Sequence, residues 1–368
     1  MSEHDIPRLR MHHPGEVAEL IPYLVGFTPE ESLVVIVTRN GRVEVTARVD
    51  LDDIQHPGAT EDLLDRIWAR FPDADAFLVA YTDDHTTGWN TLHRADAHLS
   101  GMADRQTMLI DADTWELPDG ETGTIDPDGQ IATQAANYGL KLRPTRADLQ
   151  AAFASAPDTD QLATRVGAVL DTLPKPHDTE AILTLTADLI SRSLPDEPAR
   201  VTDPPQAHVP LDDAIKLAVL TQNPSAQSLA VLTITRDNAP EHLALWRDVV
   251  NQVPAYGAEA PLYLAGMAAW VSGDGASAAV ALDRSVDLNH GEQPTGQVRL
   301  LSQLIDQVVP PTAWEAIRGD VLAAADPRVR AALCTTPAEP EVWETITPTP
   351  IRRPEARDVP PPAPGIAI

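Results

Sequence analysis

The sequence is poor in several residue types, and each shortage excludes a class of protein. A single cysteine, Cys334, excludes a disulfide framework and a four-cysteine zinc site. No run of residues approaches the ~18 consecutive apolar positions of a membrane-spanning helix, so no membrane association is expected. Basic residues are also few: 27 against 55 acidic ones give a net charge of −28, which argues against direct binding to nucleic acids or anionic membranes.

The first residues lack the basic segment and apolar run of a secretory signal, so a soluble cytoplasmic protein is expected. At 368 residues the chain is long enough for about two domains, and it can bury a large core without disulfides or metals. What the sequence does contain is hydrophobic periodicity, and the period of that pattern changes along the chain.

The N-terminal half opens with a predicted β-hairpin. Residues 32–38 are a continuous apolar run, which is typical of a strand buried on both faces. Asn40-Gly41 follows and favours a tight turn, because both turn positions need a positive φ. The return strand, residues 43–51, alternates in character and places five apolar residues on one face: Val43, Val45, Ala47, Val49 and Leu51.

Strand and helix patterns alternate after this hairpin. Further strands are predicted at residues 76–82 and 106–111, with helical patterns from Thr60 to Phe71 and from Thr86 to about residue 102. This order predicts an α/β domain with a mixed sheet over residues 1–157.

Beyond residue 157 the strand pattern largely disappears, and the second half is predicted to be all-α. The predicted segments are a helical connection (158–193), a Pro-rich linker (194–210), a helical domain (211–335) and a disordered tail (336–368). Residues 228–235 are ambiguous, since their β-branched side chains favour a strand while their neighbours are helical.

Residues 258–288 predict an antiparallel helix pair that turns at Gly273-Asp274-Gly275. Small residues would form a seam that lets neighbouring helices approach closely: Ala265, Gly266, Ala269 and Ala278. The spacing is similar to that of one tetratricopeptide repeat, so the helical domain is predicted to be tetratricopeptide-like. An ordinary helical hairpin within a bundle explains the same spacing.

Several separated motifs resemble one protein family. They are the run from His13-Pro-Gly-Glu16 to Val37, Ala47-Arg-Val-Asp-Leu51, Arg143-Pro-Thr-Arg-Ala-Asp-Leu149, Ala268-Ala-Trp-Val-Ser-Gly-Asp-Gly-Ala276 and Pro310-Pro-Thr-Ala-Trp314. Together they resemble domain-of-unknown-function family 4192, over residues 13–318. The resemblance implies no particular activity, because that family has no established one. After Met102 the chain departs from the family pattern, since the expected basic, Cys-containing segment is shorter and has no cysteine.

Acidic residues recur where the predicted strands end. Five acids lie at predicted carboxyl ends of strands: Asp50, Asp83, Asp84, Asp111 and Asp113. Carboxylates that converge at such an edge could bind Mg²⁺, with Asp50, Asp83 and Asp111 as the candidate ligands. The same pattern is expected without any metal, since aspartate favours turns and the chain is rich in acids.

Other short motifs give weaker evidence for a functional site. His85, His93 and His98 do not share a helical face, which favours surface residues over a metal site. Gly273-Asp-Gly-Ala-Ser-Ala278 has the letters of a dinucleotide-binding loop, but a helix precedes it where a strand is required. Trp246, Trp270 and Trp314 are interpreted as core residues or as residues lining a binding groove.

Two hypotheses follow. In the first, the chain is a binding or adaptor protein that uses its helical half for a protein partner, with the three tryptophans as binding residues and no cofactor. In the alternative, it is a metal-dependent hydrolase or nucleotide-handling enzyme, with Mg²⁺ held by Asp50, Asp83 and Asp111.

Overall fold

The structure is a computed structural model and describes residues 13–40, 42–56, 58–101, 104–137, 145–195, 207–288 and 296–335. Its strands all belong to one sheet: β1 (Ser32–Arg39), β2 (Arg42–Asp50), β3 (Asp75–Tyr81), β4 (Arg105–Asp111), β5 (Thr114–Glu116) and β6 (Thr122–Thr124). The strand order is β2-β1-β3-β4-β5-β6, and β3–β4 is the parallel pair in this otherwise antiparallel sheet. The mixed sheet predicted for the N-terminal half is therefore confirmed.

The predicted hairpin is confirmed, with one departure near its turn. β1 pairs antiparallel with β2, and Asn40 has the positive φ of +53° that a tight turn requires. The pairing shifts after Val37, so that Glu44 is an extra, bulged residue in β2. Because a bulge reverses the alternation of faces, Val43 is 42 % exposed instead of sharing the half-buried face of the other β2 valines.

The helices follow the periodic segments of the sequence. They are α1 (Pro14–Val25), α2 (Ala59–Trp68), α3 (His85–His98), α4 (Gln130–Asn137), α5 (Arg146–Ala151), α6 (Asp160–Leu170), α7 (Thr179–Ser193), α8 (Leu211–Leu220), α9 (Pro224–Thr233), α10 (Ala239–Gln252), α11 (Glu259–Ser272), α12 (Gly275–Leu288), α13 (Gly296–Asp306), α14 (Trp314–Ala324) and α15 (Pro327–Thr335). None of the described helices combines the length and the apolar character that crossing a bilayer requires.

The sheet is covered on both faces, as the apolar runs in its strands require. Leu33, Val35 and Val37 of β1 face a core formed with α2 and α3. Val34 and Ile36 face the opposite way, into a larger core that includes α1 and most of the helical half. The sheet is thus a middle layer. The α2–α3 pair covers one face, and α1 with helices of the second half covers the other.

Helix α1 lies close to the sheet at its first turn. A Cβ atom on Gly15 would lie 2.9 Å from Nε1 of Trp115 in β5, so glycine is needed for this approach. At the other end, α1 stops at Gly26, whose φ of +84° is the left-handed conformation of a helix cap.

The helix pair predicted over residues 258–288 is confirmed. Helix α11 ends at Gly273, which has a φ of +88°, and α12 begins at Gly275. The four small residues of the seam are all buried, and a Cβ on Gly266 would meet Leu301 of α13 at 3.1 Å. Helices α10 and α12 pack along α11, whose residues 260–271 are buried without interruption.

Residues 228–233 of the ambiguous segment are the second half of helix α9, and Ile234 after them is extended. Asn223 caps this helix by accepting hydrogen bonds from the backbone N–H groups of Ser225 and Ala226, and Pro224 occupies the first turn. Side chains from elsewhere cover its last carbonyl groups: Nε of Arg318 donates to the Leu232 carbonyl at 2.7 Å. The β-branched residues are accepted in a helix because tertiary contacts outweigh their propensity.

The two halves share contacts. Arg146 of α5 donates to Asp50 of β2 and to Asp283 of α12, each at 3.2 Å. Contacts place all described residues in one compact unit, so the predicted boundary at 157 marks a change of secondary structure and stays a prediction as a domain boundary. Part of the predicted 194–210 linker is packed, since Val209 is 1 % exposed. Residues 196–206 of the linker and the predicted tail from residue 336 lie outside the described residues.

Candidate functional site

The acidic positions predicted at strand ends do lie along one edge of the sheet. Ser32 at the start of β1 pairs with Asp50 of β2 on one side and with Tyr81 of β3 on the other. Because β3 and β4 are parallel, Asp111 ends β4 at the same edge. The sequence therefore located the edge correctly.

The edge does not bring the three predicted metal ligands together. Two strands separate Asp50 from Asp111, and at a strand spacing of ~4.8 Å they stand roughly 14 Å apart, whereas ligands of one ion lie ~2.0–2.6 Å from it. Asp50 is instead paired with Arg48 at 2.6 Å and with Arg146 at 3.2 Å. Asp83 is exposed. Among the described residues, no group of three or more His, Cys, Asp or Glu side chains is placed to hold a metal.

Asp84, another of the acids predicted at strand ends, caps helix α3. Its Oδ1 accepts hydrogen bonds from the backbone N–H groups of Thr86 and Thr87 at the start of α3, at 3.0 and 3.1 Å. The Thr87 hydroxyl donates to Oδ2 at 2.7 Å. These hydrogen bonds, led by those from Thr87, lower the pKa of Asp84, because they stabilise the carboxylate that caps the helix.

His85, predicted to be a surface residue, is exposed and lies beside two carboxylates at this edge. Its Nε2 lies 3.3 Å from Oδ2 of Asp111, and its Nδ1 lies 3.5 Å from Oε2 of Glu116, while half of the side chain is exposed. An imidazole held beside two carboxylates is a side-chain arrangement that general acid–base catalysts use. Nothing local in the sequence indicates this cluster, since Glu116 reaches it only through the β4–β5 turn.

The three predicted binding tryptophans lie inside the helical half. Trp246, Trp270 and Trp314 are 0 %, 4 % and 2 % exposed. Trp270 and Trp314 meet edge to face with ring centroids 6.1 Å apart, and Nε1 of Trp314 donates to the Ile234 carbonyl at 2.8 Å. The structure gives these rings the core position that was one of their two interpretations, and their role in binding stays a prediction.

A surface groove runs between α6 and the start of α8. Its walls combine apolar, hydroxyl and charged side chains: Thr159, Gln161, Leu162, Thr164, Arg165, Ala168, Pro210, Leu211 and Asp212. Arg165 crosses the groove and forms two hydrogen bonds of 2.5 Å with the Asp212 carboxylate. This bidentate pair fixes one polar feature in an otherwise open channel.

The apolar side chains beside the groove are incompletely covered. Val169 is the buried residue of α6, while Leu162 and Val166 are half-buried. Leu211, which lines the groove, is 39 % exposed, and Leu170 of α6, which lies outside the lining, is 46 % exposed. Helix α6 therefore has an apolar stripe that its contact with α8 covers only in part.

Acidic residues border the groove at the start of α6. Asp158 and Asp160 flank Thr159, the residue that lines the groove and caps the helix, and both are exposed. Since Arg165 is paired with Asp212, these two carboxylates leave the rim negative, as is the chain overall.

The comparisons with known proteins agree with the motifs found in the sequence. A family model described as Domain of unknown function (DUF4192) matches residues 14–312. No curated protein and no solved structure matches the chain. The matched range begins at α1 and ends in the turn before α14, so it includes the sheet, the groove and the α11–α12 pair.

Proposed function

This chain belongs to the family described as domain of unknown function DUF4192, and we propose that it is a binding protein that holds a segment of a protein partner in the groove between α6 and α8. The observation that carries the proposal is the incompletely covered apolar stripe of α6 beside a concave surface. The helix is 11 residues long, and one of its residues is buried.

The energetics of apolar surface support a partner at this place. Each square ångström of apolar surface removed from water stabilises the bound state by about 25 cal/mol. Leu162 on the α6 wall and Leu211 on the α8 wall offer such surface on two sides of the groove, where one inserted side chain can contact both walls. An anchor of this kind in a pocket is the usual centre of a protein–protein contact.

The rim defines the chemistry of the partner. Because Asp158 and Asp160 make the entrance negative, a segment with basic residues next to its apolar anchor would be attracted to it. The Arg165–Asp212 pair offers a carboxylate and a guanidinium for hydrogen bonds to the partner's backbone.

The test is selection from a displayed random-peptide library with the full chain, followed by affinity measurement by fluorescence anisotropy. We expect the selected peptides to share an apolar residue flanked by Lys or Arg. Leu211→Asp should weaken binding at least tenfold, because it puts a charge against the anchor. Leu300→Asp is the matched control, since Leu300 of α13 is 47 % exposed and outside the groove. Equal affinity of the Leu211→Asp and Leu300→Asp variants would overturn the proposal.

A hydrolase or nucleotide-handling enzyme is the second candidate, and the His85 cluster is the observation that favours it. His85 lies between Asp111 and Glu116 at the strand-end edge, where ligands of α/β sheets commonly bind. The test is a panel of phosphoester and carboxylester substrates, assayed with and without Mg²⁺. Turnover that disappears in His85→Gln would support an enzyme, and turnover that is unchanged in this variant would count against this site.

A further inference from the structure

The two walls of the groove differ in how firmly they are held. Helix α8 buries five of its ten residues and packs against α7 and α10. Helix α6 buries one residue, Val169, and its main neighbour among the described elements is α8 itself. Segments with few buried contacts open locally at a lower free energy than the well-packed core does. Of the two walls, α6 is therefore the one that can move.

Both walls are fixed at the same place, the end of α10. Before α6, the backbone N–H of Ala156 donates to the Val253 carbonyl at 2.9 Å. Before α8, the backbone N–H of Val209 donates to Oδ2 of Asp248 at 2.7 Å. Residues 157–159 separate this shared base from the first turn of α6, so α6 can pivot about them while its attachment to α10 stays in place.

An ion pair between Arg165 of α6 and Asp212 of α8 spans the groove. Its geometry is bidentate, which holds the two helices at a defined distance. The two side chains are 53 % and 38 % exposed, so solvent screens the pair and it contributes little to stability. A pair of this kind holds a wall in place and still opens readily.

We propose that α6 is a movable wall of the groove and that the Arg165–Asp212 ion pair is its latch. In the closed form the guanidinium crosses the groove, so a partner segment inserts fully only after the latch opens. The open fraction of the chain then limits the apparent affinity for the partner. The inference rests on the proposed groove function and adds to it how access to the groove is regulated.

Opening removes little that stabilises the core. Val169, the buried residue of α6, is 4 % exposed, whereas Leu162 and Val166 are half-buried already in the closed form. A Cβ atom on Gly167 would meet no atom within 4 Å, so the outer side of α6 faces solvent. Opening therefore removes the burial of one aliphatic side chain and one screened ion pair, while α8 keeps its own contacts with α7 and α10.

Thiol labelling measures this opening without any partner. In a Cys334→Ser background, Val169→Cys places a thiol beneath α6, and Val249→Cys on α10, at a position that is 0 % exposed, is the matched control. With the full chain and a maleimide reagent, we expect Val169→Cys to react about tenfold faster or more, because local opening costs less free energy than global unfolding. Equal labelling rates at the two positions would overturn the movable wall.

Arg165→Gln removes the latch. It should raise the labelling rate of Val169→Cys about two- to fivefold, which is the effect of one exposed ion pair, and leave the rate of Val249→Cys unchanged. Salt at about 1 M screens the pair, so it should raise the Val169→Cys rate in the chain that keeps Arg165 and not in the Arg165→Gln chain. An unchanged rate in Arg165→Gln, or an equal increase at Val249→Cys, would overturn the latch.

Hydrogen exchange on the unmodified chain decides the question if Val169→Cys does not fold by circular dichroism. Amides of residues 160–170 should exchange faster than those of residues 211–220, and about 1 M salt should accelerate exchange in the first range alone. Equal protection of the two helices, or no effect of salt on α6, would overturn the proposal. Neither measurement involves a partner, so a failure here is distinguishable from a failure of the peptide selection that tests the groove.

Discussion

Helices α6 and α11 belong to the same helical half and have opposite surroundings. Helix α11 is buried over residues 260–271, with α10 and α12 along its sides and Leu301 of α13 against Gly266. Helix α6 buries one residue, Val169, and contacts α8. Both were predicted from the sequence as helices, so secondary structure alone does not separate them.

The comparison separates the residues that hold the fold from those available for binding. Around α11, substitution of a buried side chain must leave a cavity or displace neighbours, because interiors are close-packed. Around α6, most side chains are exposed or half-buried, so a substituted side chain contacts solvent and leaves no cavity. We therefore expect the same substitution to lower the stability of the protein in α11 and to change it little in α6.

The largest expected effect comes from the same truncation in both helices. Leu264 of α11 is 0 % exposed and Leu170 of α6 is 46 % exposed. Leu264→Ala should lower the free energy of unfolding by about 2–5 kcal/mol, through lost burial and the cavity left behind. Leu170→Ala should stay within about 0.5 kcal/mol of the parent chain. Urea denaturation measures both values, and similar losses would remove the distinction between the helices.

Two mid-helix glycines provide the next test. A Cβ on Gly266 would already lie 3.1 Å from Leu301, whereas a Cβ on Gly167 of α6 has nothing within 4 Å. Gly266→Leu should overpack the seam and lower the free energy of unfolding by about 1–3 kcal/mol. Gly167→Leu should be neutral or stabilising, since leucine has the higher helix propensity. An unchanged thermal midpoint for Gly266→Leu would show that α13 moves enough to accommodate the larger side chain.

The pH dependence of stability tests the core beside α11. Burial lowers the pKa of His242 on α10 to about 3, and the nearby Thr233 backbone acts in the opposite direction but more weakly. Between pH ~6.5 and ~3 the unfolded chain then binds one more proton at this ring, so stability falls as the pH falls. The slope contributed is at most about 1.4 kcal/mol per pH unit.

His242→Gln removes this proton uptake. The difference in unfolding free energy between the parent chain and the variant should therefore change across pH 4–6.5 and be constant above ~7. Denaturant titrations at several pH values measure it. A pH-independent difference would mean that the ring is solvated or charged in the folded chain.

The smallest expected effect concerns the contact between the sheet and the helical half. Arg146 pairs with Asp50 and Asp283, but its side chain is 36 % exposed, so solvent screens both pairs. Arg146→Met should lower the free energy of unfolding by about 0.2–1 kcal/mol at low salt, and by less in 1 M salt. A larger loss that persists in high salt would indicate that the link is buried when the protein is in solution.

Some elements were predictable because their signals are local. The β1–β2 hairpin follows from an apolar run, an Asn-Gly turn and a period of two. The α11–α12 pair follows from apolar periodicity interrupted by glycines at the turn, where Gly273 has the φ of +88° that its position requires. In each case the decisive residues are neighbours in sequence.

Other elements were missed because their signals are distant or were outweighed. Residues 228–235 have strand propensity, but Asn223 and Pro224 start a helix that includes Thr233. The His85 cluster needs the β4–β5 turn to bring Glu116 to the ring. The three tryptophans had a core and a groove interpretation, and the contact between the rings of Trp270 and Trp314 depends on the packing of α11 against the turn before α14.

The sequence by itself determined the order and type of most elements, because hydrophobic period, turn residues and helix caps act within a few positions. Tertiary structure decided which apolar helix stripes are covered, which acids share an edge without sharing a site, and that α6 and Leu211 border an open groove. The physical reason is that burial and electrostatic pairing depend on distance in space, and a chain of this length brings together residues that its sequence keeps far apart.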